Sequence, residues 1–486
     1  MTSTTPNQSM YYIKCLIVFI ITFGVGFLPP VGSLTPMGMK AIGIFCGVLF
    51  GWAMVDMLWP SLLGIFAVGL SGYMTIPQSL ACAFSDNITL QTLFILIFVG
   101  YLEVSGCSSY IASWIITRKC AVGRPWLLSL LILLSGFVLS MFTMGISAIL
   151  IAWAIFYEIC ALLNMTKSDK WTTTMLWGIV FSGLAGAICL PYQIMSVIFI
   201  GATEQSAHIT INTLEYSSIR IVASFFLIVL YWLVCKYLIK PDVAKIIAAG
   251  DVFKDMRERK ISYDEKIGII VFFVFLFVLV FIANLPKSLP FIGFLKSLGL
   301  LGTIVLLIIL LSIFRITRNG VEESIMHFNK LTKKINWTTV LLVGGIAPMS
   351  KLLESPEAGI FQSILALLTP LTDILGSTGF VVAVALLLFL VTQISHNIVL
   401  ARLVIPLVIP LGMSLDIPPL LMLSSIILPL QMAFCTPGAS ANVALIWGNQ
   451  QWIAKESIIK ISMICALLVL LYNNLIIIPV SFLLYQ

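Results

Sequence analysis

The sequence predicts an all-α polytopic membrane protein with about eleven transmembrane helices, built as two inverted repeats that each hold a re-entrant hairpin and a broken helix. Three observations carry that expectation. Of the 486 residues, 60% are hydrophobic and 10% charged. A soluble domain carries about 25% charged residues, so lipid must solvate most of this chain. The apolar residues come in runs of the ~20 that one span requires. The basic residues fall in the short connections between those runs, as they do in cytoplasmic loops.

The elements follow in order. Lys14 is the first basic residue, and Cys15 to Phe27 has no small-residue cleavage site, so this stretch reads as a first span and not a removed signal. Further runs begin near Ala41, Leu58 and Leu90. The stretch 126–163 suits a hairpin of two half-length helices, with small and polar residues at its middle. A run over about 172–200 is interrupted at Ala187-Ile-Cys-Leu-Pro-Tyr-Gln193, and another starts near Ile219, completing a first unit over 1–239. Lys240 to Lys266 mixes seven basic with six acidic residues and reads as a solvated cytoplasmic linker. The second unit, 267–486, repeats the order. It has runs near Ile267, Leu298 and Trp337, a hairpin over 378–413, a segment over about 417–448 broken at Cys435-Thr-Pro-Gly-Ala-Ser-Ala-Asn442, and a last run to Leu484.

Charge sets the orientation. Arg118, Lys119 and Arg124 share one loop, Lys167 and Lys170 a second, and Arg315, Arg318, Lys330, Lys333 and Lys334 another, while 201–216 holds Glu204 and Glu215 but no Lys or Arg. By the positive-inside rule the basic loops are cytoplasmic and 201–216 is external. This works only if the first hairpin opens to the cytoplasm and the second to the outside, which makes the repeats inverted. The N-terminus is then cytoplasmic and the C-terminus external, in a plasma membrane or bacterial inner membrane.

Net charge is +7, but its distribution reports topology and not a phosphate-binding face, so no nucleic-acid partner is expected. The ten cysteines lie mostly in apolar runs with no CxxC, and the three histidines (His208, His327, His396) stand in separate segments. Neither a disulfide framework nor a metal centre is expected. An enzyme is the remote alternative, since HExxH, GxSxG and paired intramembrane aspartates are all missing. Non-helical backbone at membrane depth survives only where protein or a water-filled cavity satisfies it, and paired breaks in corresponding positions point to a carrier's binding site.

Several stretches in shared order carry a family likeness: Pro29-Pro-Val-Gly-Ser-Leu-Thr-Pro36 running to Trp59-Pro60, Phe94 to Gly106, Lys240-Pro-Asp242, Ile335-Asn-Trp-Thr-Thr-Val-Leu-Leu-Val-Gly-Gly345, and Thr436-Pro-Gly-Ala-Ser-Ala-Asn442 continuing to Ile446-Trp-Gly448. Together they resemble the divalent anion/sodium symporter family, and the last is most similar to its citrate or tartrate/succinate antiporter branch. The resemblance implies a homodimeric, elevator-type carrier of di- or tricarboxylates, with Ser-Asn-Thr at each hairpin tip holding sodium and substrate. In this chain the second triplet falls on His396, Asn397 and Ile398, with Ser395 before it. The first falls on Met144, Gly145 and Ile146, flanked by Thr143 and Ser147. The family's Gly-Thr-Pro-Pro-Asn appears as Cys189 to Gln193, keeping Pro191 and an amide. The implied substrate residues are therefore Ser395, His396, Asn397, Arg402, Thr436, Pro437, Ser440, Asn442, Thr143, Gly145, Ser147, Pro191 and Gln193. A sodium site, if present, would lie near Gly145 and Asn397. The loss of side-chain oxygens there favours anion exchange over sodium symport, and no other cofactor is expected. An inorganic oxyanion such as sulfate is the alternative substrate.

Single residues keep two readings. Arg402 lies about two turns past the second tip, where an ionisable group costs roughly 2.5–3.5 kcal/mol to insert. It is either a carboxylate clamp or the structural partner of a buried acid. His396 either donates to a carboxylate or caps the hairpin turn. Glu103, Glu158 and Asp56 read as interfacial or paired acids.

Overall fold

Proline and short polar side chains set many of the helix starts. Thr35 accepts a hydrogen bond from the Gly38 amide at 3.1 Å and Pro36 takes the first helical position of Pro36–Met54. Pro125 and Pro419 open Pro125–Phe142 and Pro419–Gln431 in the same way. Thr75 with Gln78, and Ser262 with Glu265, form capping boxes for Ile76–Ser85 and Tyr263–Leu276. Each device satisfies amides that an α-helix leaves unpaired at its first turn.

The computed structural model describes residues 8–30, 32–143, 145–166, 169–248, 258–278, 292–318, 321–326, 328–332, 335, 337–393, 396–436, 439–449 and 452–485. Among them seven helices are long and apolar enough to cross a membrane: Ser9–Phe27, Asn87–Ser105, Pro125–Phe142, Gly145–Leu162, Thr213–Ile239, Gly293–Ile313 and Lys455–Tyr485. Shorter apolar helices include Pro36–Trp52, Leu58–Leu70, Cys107–Ile116, Trp337–Leu353 and Asn397–Met413. Phe27, Leu238 and Leu483 are among many large apolar side chains left exposed, as a lipid-facing surface requires. The one ribbon among the described residues pairs Arg315–Arg318 with Val321–Ser324, antiparallel, with Arg315 opposite Ser324. It occupies what the sequence read as a plain basic loop.

Each half contains a hairpin followed by a broken helix. The first hairpin joins Pro125–Phe142 to Gly145–Leu162, and the helix after it, Lys170–Gly186, stops and resumes as Ile194–Ala207. In the second half Ile360–Thr392 breaks at Gly376, whose φ of 65° suits glycine alone, leaving Gly376–Thr392 as the hairpin's first arm. Its second arm is Asn397–Met413, and the broken helix runs as Pro419–Gln431 and then Ala441–Gly448. The arms are longer than the half-length helices the sequence suggested. Pro125–Phe142 has 18 residues, about 27 Å at 1.5 Å per residue. Two thirds of it is sheathed by protein, so bilayer thickness does not limit its length.

Packing relates the halves reciprocally. Within each half, the hairpin's first arm lies along the first part of its own broken helix. Between halves, Gly145–Leu162 packs on Ala441–Gly448, and Asn397–Met413 packs on Ile194–Ala207. An exchange of partners of this kind is what a two-fold between repeats produces. Every residue from Trp171 to Gly186 is buried. Gly186 lets Lys170–Gly186 approach closely, since a Cβ there would meet the Phe137 carbonyl at 2.4 Å. A second apolar core joins Pro36–Met54, Leu58–Leu70 and Trp337–Glu354 through Ile44, Val48, Leu342 and Ile346, and receives Val399 and Leu403 from the second hairpin.

Candidate functional site

The two hairpin tips and the two helix breaks meet. The first tip ends at Thr143 in extended conformation, its hydroxyl donating to the Leu139 carbonyl at 3.0 Å. The first break is tied to this tip. Gln193 Nε2 donates to the Met141 carbonyl at 2.9 Å, and the Tyr192 hydroxyl donates to the same oxygen. Gln193 then stands at the N-cap position of Ile194–Ala207.

The second tip is bound to the second break by a denser set. Gln393 Oε1 accepts from the Phe434 amide at 2.8 Å and the Cys435 amide at 3.3 Å, while its Nε2 donates to the Met432 and Phe389 carbonyls at 3.0 and 3.1 Å. Thr436 Oγ1 donates to the Gln393 carbonyl at 2.8 Å, and the Asn397 amide donates to the Ala439 carbonyl at 3.1 Å. Gln431 crosses to the first half and donates to the Leu184 carbonyl at 2.8 Å. In each half a buried amide side chain thus satisfies backbone that the break would otherwise leave unpaired in lipid.

These bonds frame a cavity of about 150 Å³. Gly145 and Ile146, Gln193 and Ile194, His396 and Asn397, and Ser440 and Asn442 line it from tips and breaks, and Met57, Thr338, Thr339 and Leu342 close the opposite wall. Among the described residues its lining holds no Asp, Glu, Lys or Arg. Four helices begin at this lining: Gly145–Leu162, Ile194–Ala207, Asn397–Met413 and Ala441–Gly448. Each N-terminus carries roughly half a positive charge, although the Asn397, Ile398 and Asn442 amides are already taken by the Ala439 carbonyl, Asn397 Oδ1 and Ser440 Oγ. His396 occupies the N-cap position of its helix without capping it, and among the described residues its buried Nδ1 has no hydrogen-bond partner. Gly145 is pressed against the second half, since a Cβ there would meet Asn442 Nδ2 at 2.7 Å.

The structure therefore brings Gly145, Gln193, His396, Asn397, Ser440 and Asn442 to one cavity. Thr143 is buried on its own helix carbonyl, Thr436 braces Gln393, and Ser147 lies half-buried just beyond the lining. Pro191 lines a larger, neighbouring cavity of about 530 Å³ together with Asn87, Glu204 and Lys296. Arg402 lies outside the lining, its Nη2 2.8 Å from the Asp86 carboxylate. Ser395 and Pro437 fall outside the described residues. Sequence reasoning passed over Gln393, Gln431, Thr338 and Thr339. Gln393 and Gln431 carried the signal that flagged Arg402, a polar group in an apolar helix that must find a partner.

Comparison with known proteins fits this arrangement. The citrate transporter family (CitMHS) matches residues 47–426. The sodium-dependent dicarboxylate transporter SdcS of Staphylococcus saprophyticus subsp. saprophyticus is 23% identical over 395 residues, covering 78% of this chain and 73% of that protein. The crystal structure of the Alcanivorax borkumensis YdaH transporter, described as having an unusual topology, superposes with a TM-score of 0.56 at 13% identity, over 88% of this chain and 98% of that one. The chain is a multi-pass membrane transporter, not an enzyme, and belongs to the citrate transporter family.

Proposed function

We propose that the cavity between tips and breaks binds a di- or tricarboxylate and that the protein exchanges one such anion for another across the membrane. The carrying observation is the convergence of four helix N-termini on a lining that holds no carboxylate among the described residues. Amides at helix starts suit anions. The side chains of Asn397, Asn442 and Ser440, with the buried His396 Nδ1, add neutral polar groups. The relative named as a dicarboxylate transporter, and the family named for citrate, agree with a carboxylate ligand.

Coupling by exchange is supported by the poverty of oxygen ligands at the tips. Asn397 Oδ1 already accepts the Ile398 amide at 2.9 Å, and the Thr143 hydroxyl is held by its own helix. Elevator motion is supported by the seam on which the cavity sits. One wall belongs to the hairpins and broken helices, and the other to the separate core around Leu342.

The test is uptake of labelled succinate and citrate into proteoliposomes, with and without a sodium gradient and with and without internal counter-anion. Exchange predicts that internal dicarboxylate accelerates uptake and that sodium does not. Uptake that needs sodium and ignores the internal anion overturns exchange. Displacement of bound ligand by sulfate alone overturns the carboxylate reading.

A further inference from the structure

A second arginine lies buried away from the carrier cavity. Arg220, on Thr213–Val234, is 3% exposed. Its Nη2 donates to Ser424 Oγ at 2.5 Å, and its buried Nη1 has no hydrogen-bond partner among the described residues. Among the described residues no carboxylate pairs with it, in contrast to Arg402 and its Asp86. Ser424 lies on Pro419–Gln431, and Ser481 Oγ stands 2.9 Å from its hydroxyl. Ser481 gives its own hydrogen to the Ile477 carbonyl at 2.7 Å, which leaves its oxygen to accept the Ser424 hydroxyl hydrogen. A small cavity of about 20 Å³ lies against these groups, with Tyr216 and Tyr485 on its walls and the exposed Glu215 at its rim.

The chemistry of this cluster is one-sided. It presents a guanidinium nitrogen that, among the described residues, is given no acceptor. A buried cation without a counter-charge is costly, and a water molecule would satisfy the hydrogen bond while leaving that charge in place. The volume admits one water-sized sphere, so a dicarboxylate is excluded and a monatomic anion fits. We propose that Arg220, steadied by Ser424, holds a chloride ion. The ion would act as a structural counter-charge tying Thr213–Val234, the second broken helix and the C-terminal segment together. Thr213–Val234 also braces the first break, through Ser224 Oγ to the Ala185 carbonyl at 3.0 Å and the Tyr216 hydroxyl to the Ile188 carbonyl at 3.1 Å. Loss of the anion would therefore loosen both broken helices. This inference stands apart from the identity of the transported substrate.

The test compares thermal unfolding of the purified full chain in chloride and in gluconate at equal ionic strength. At chloride about tenfold above its dissociation constant the folded-to-unfolded ratio rises about elevenfold, and unfolding moves to higher temperature. Arg220→Gln should unfold at the same temperature in both salts, and Ser424→Ala should reduce the difference. Equal unfolding of the wild type in both salts, or an undiminished chloride effect in Arg220→Gln, overturns the proposal. Should Arg220→Gln fail to fold, crystals grown in bromide decide it. An anomalous peak beside Arg220 Nη1 supports the site, and a map without one overturns it.

Discussion

Arg402 and Asp86 form the one ion pair among the described residues with both partners largely buried, the side chains being 4% and 11% exposed. Arg402 shares its helix face with Val399 and Leu403, which pack into the second core, and its Nε has no partner among the described residues. Asp86 also caps Asn87–Ser105, accepting the Thr89 amide at 3.0 Å. Asp86→Asn keeps that cap, because asparagine caps as well as aspartate, and removes only the counter-charge. The stranded guanidinium then costs about 3–5 kcal/mol, as does the stranded carboxylate left by Arg402→Met. Replacing both should return stability to within about 1 kcal/mol of wild type, because a buried pair contributes little beyond its neutral counterpart. The cycle would therefore show a coupling of several kcal/mol between residues that touch. Denaturant unfolding in detergent measures the stability of all four proteins, and proteoliposome uptake of labelled dicarboxylate measures function. The double variant should transport. An Asp86→Asn protein as stable as wild type would refute the pairing argument, and a stable double variant unable to bind substrate would return Arg402 to the binding site.

Three further outcomes follow from the geometry. Gly145→Ala forces the Asn442 amide aside, because the new Cβ would lie 2.7 Å from its Nδ2. One lost hydrogen bond to a charged ligand is worth about 1.5–3 kcal/mol, so substrate affinity should fall roughly 10- to 100-fold while the unfolding temperature barely moves. Gln393→Leu removes the side-chain partner of the Phe434 and Cys435 amides and of the Met432 carbonyl. At about 1–3 kcal/mol for each buried unsatisfied group, it should destabilise by roughly 3–9 kcal/mol, read by unfolding in detergent. At the membrane edge, burial pushes the Asp169 carboxyl up, but the Thr166 amide and Lys245 Nζ outweigh it and hold the group below its ordinary 3.8. Its pairing with Lys245, 3.0 Å away, therefore adds stability above about pH 4 and loses it as pH falls through the folded value. The gap between wild type and Asp169→Asn should stay under about 1 kcal/mol and close on acidification.

The membrane-helical class was legible because solvent enforces it. With so few charges, only a lipid-solvated helical chain satisfies its backbone. The breaks were legible for a related reason, since Pro191 and the Thr436-Pro-Gly438 run cannot continue a helix. Asn397, Ser440 and Asn442 are assigned to the site through the family resemblance, since by residue type alone such side chains in a membrane helix more often bond across helices. The partner of Arg402 could not be read, because Asp86 reaches it through tertiary packing that no local pattern encodes. Gln393 escaped for the opposite reason. It ends an apolar helix just short of a tip, where an amide looks like an ordinary terminus, and only the fold reveals that it holds four backbone groups of the second hairpin and break. The ribbon at 315–324 was hidden within a stretch whose charges spoke only of orientation.

The electrostatics of the cavity bear on how the carrier is coupled. Both arginines buried among the described residues are held outside it, one by Asp86 and one against Ser424. Four helix N-termini reach the lining, but Ala187 and Gln431 bring helix C-terminal ends to it as well. The opposed dipoles largely offset, so an anion is favoured by the few donors aimed into the cavity and not by a net positive charge. The loaded site then carries close to the charge of its substrate. In the proposed exchange of one dicarboxylate for another each turnover moves no net charge, whereas carriage of a lone dicarboxylate moves its full charge across the membrane. Accumulation of labelled succinate against internal succinate should therefore reach the same level with and without an imposed membrane potential. Accumulation that follows the potential and needs no internal anion would overturn exchange.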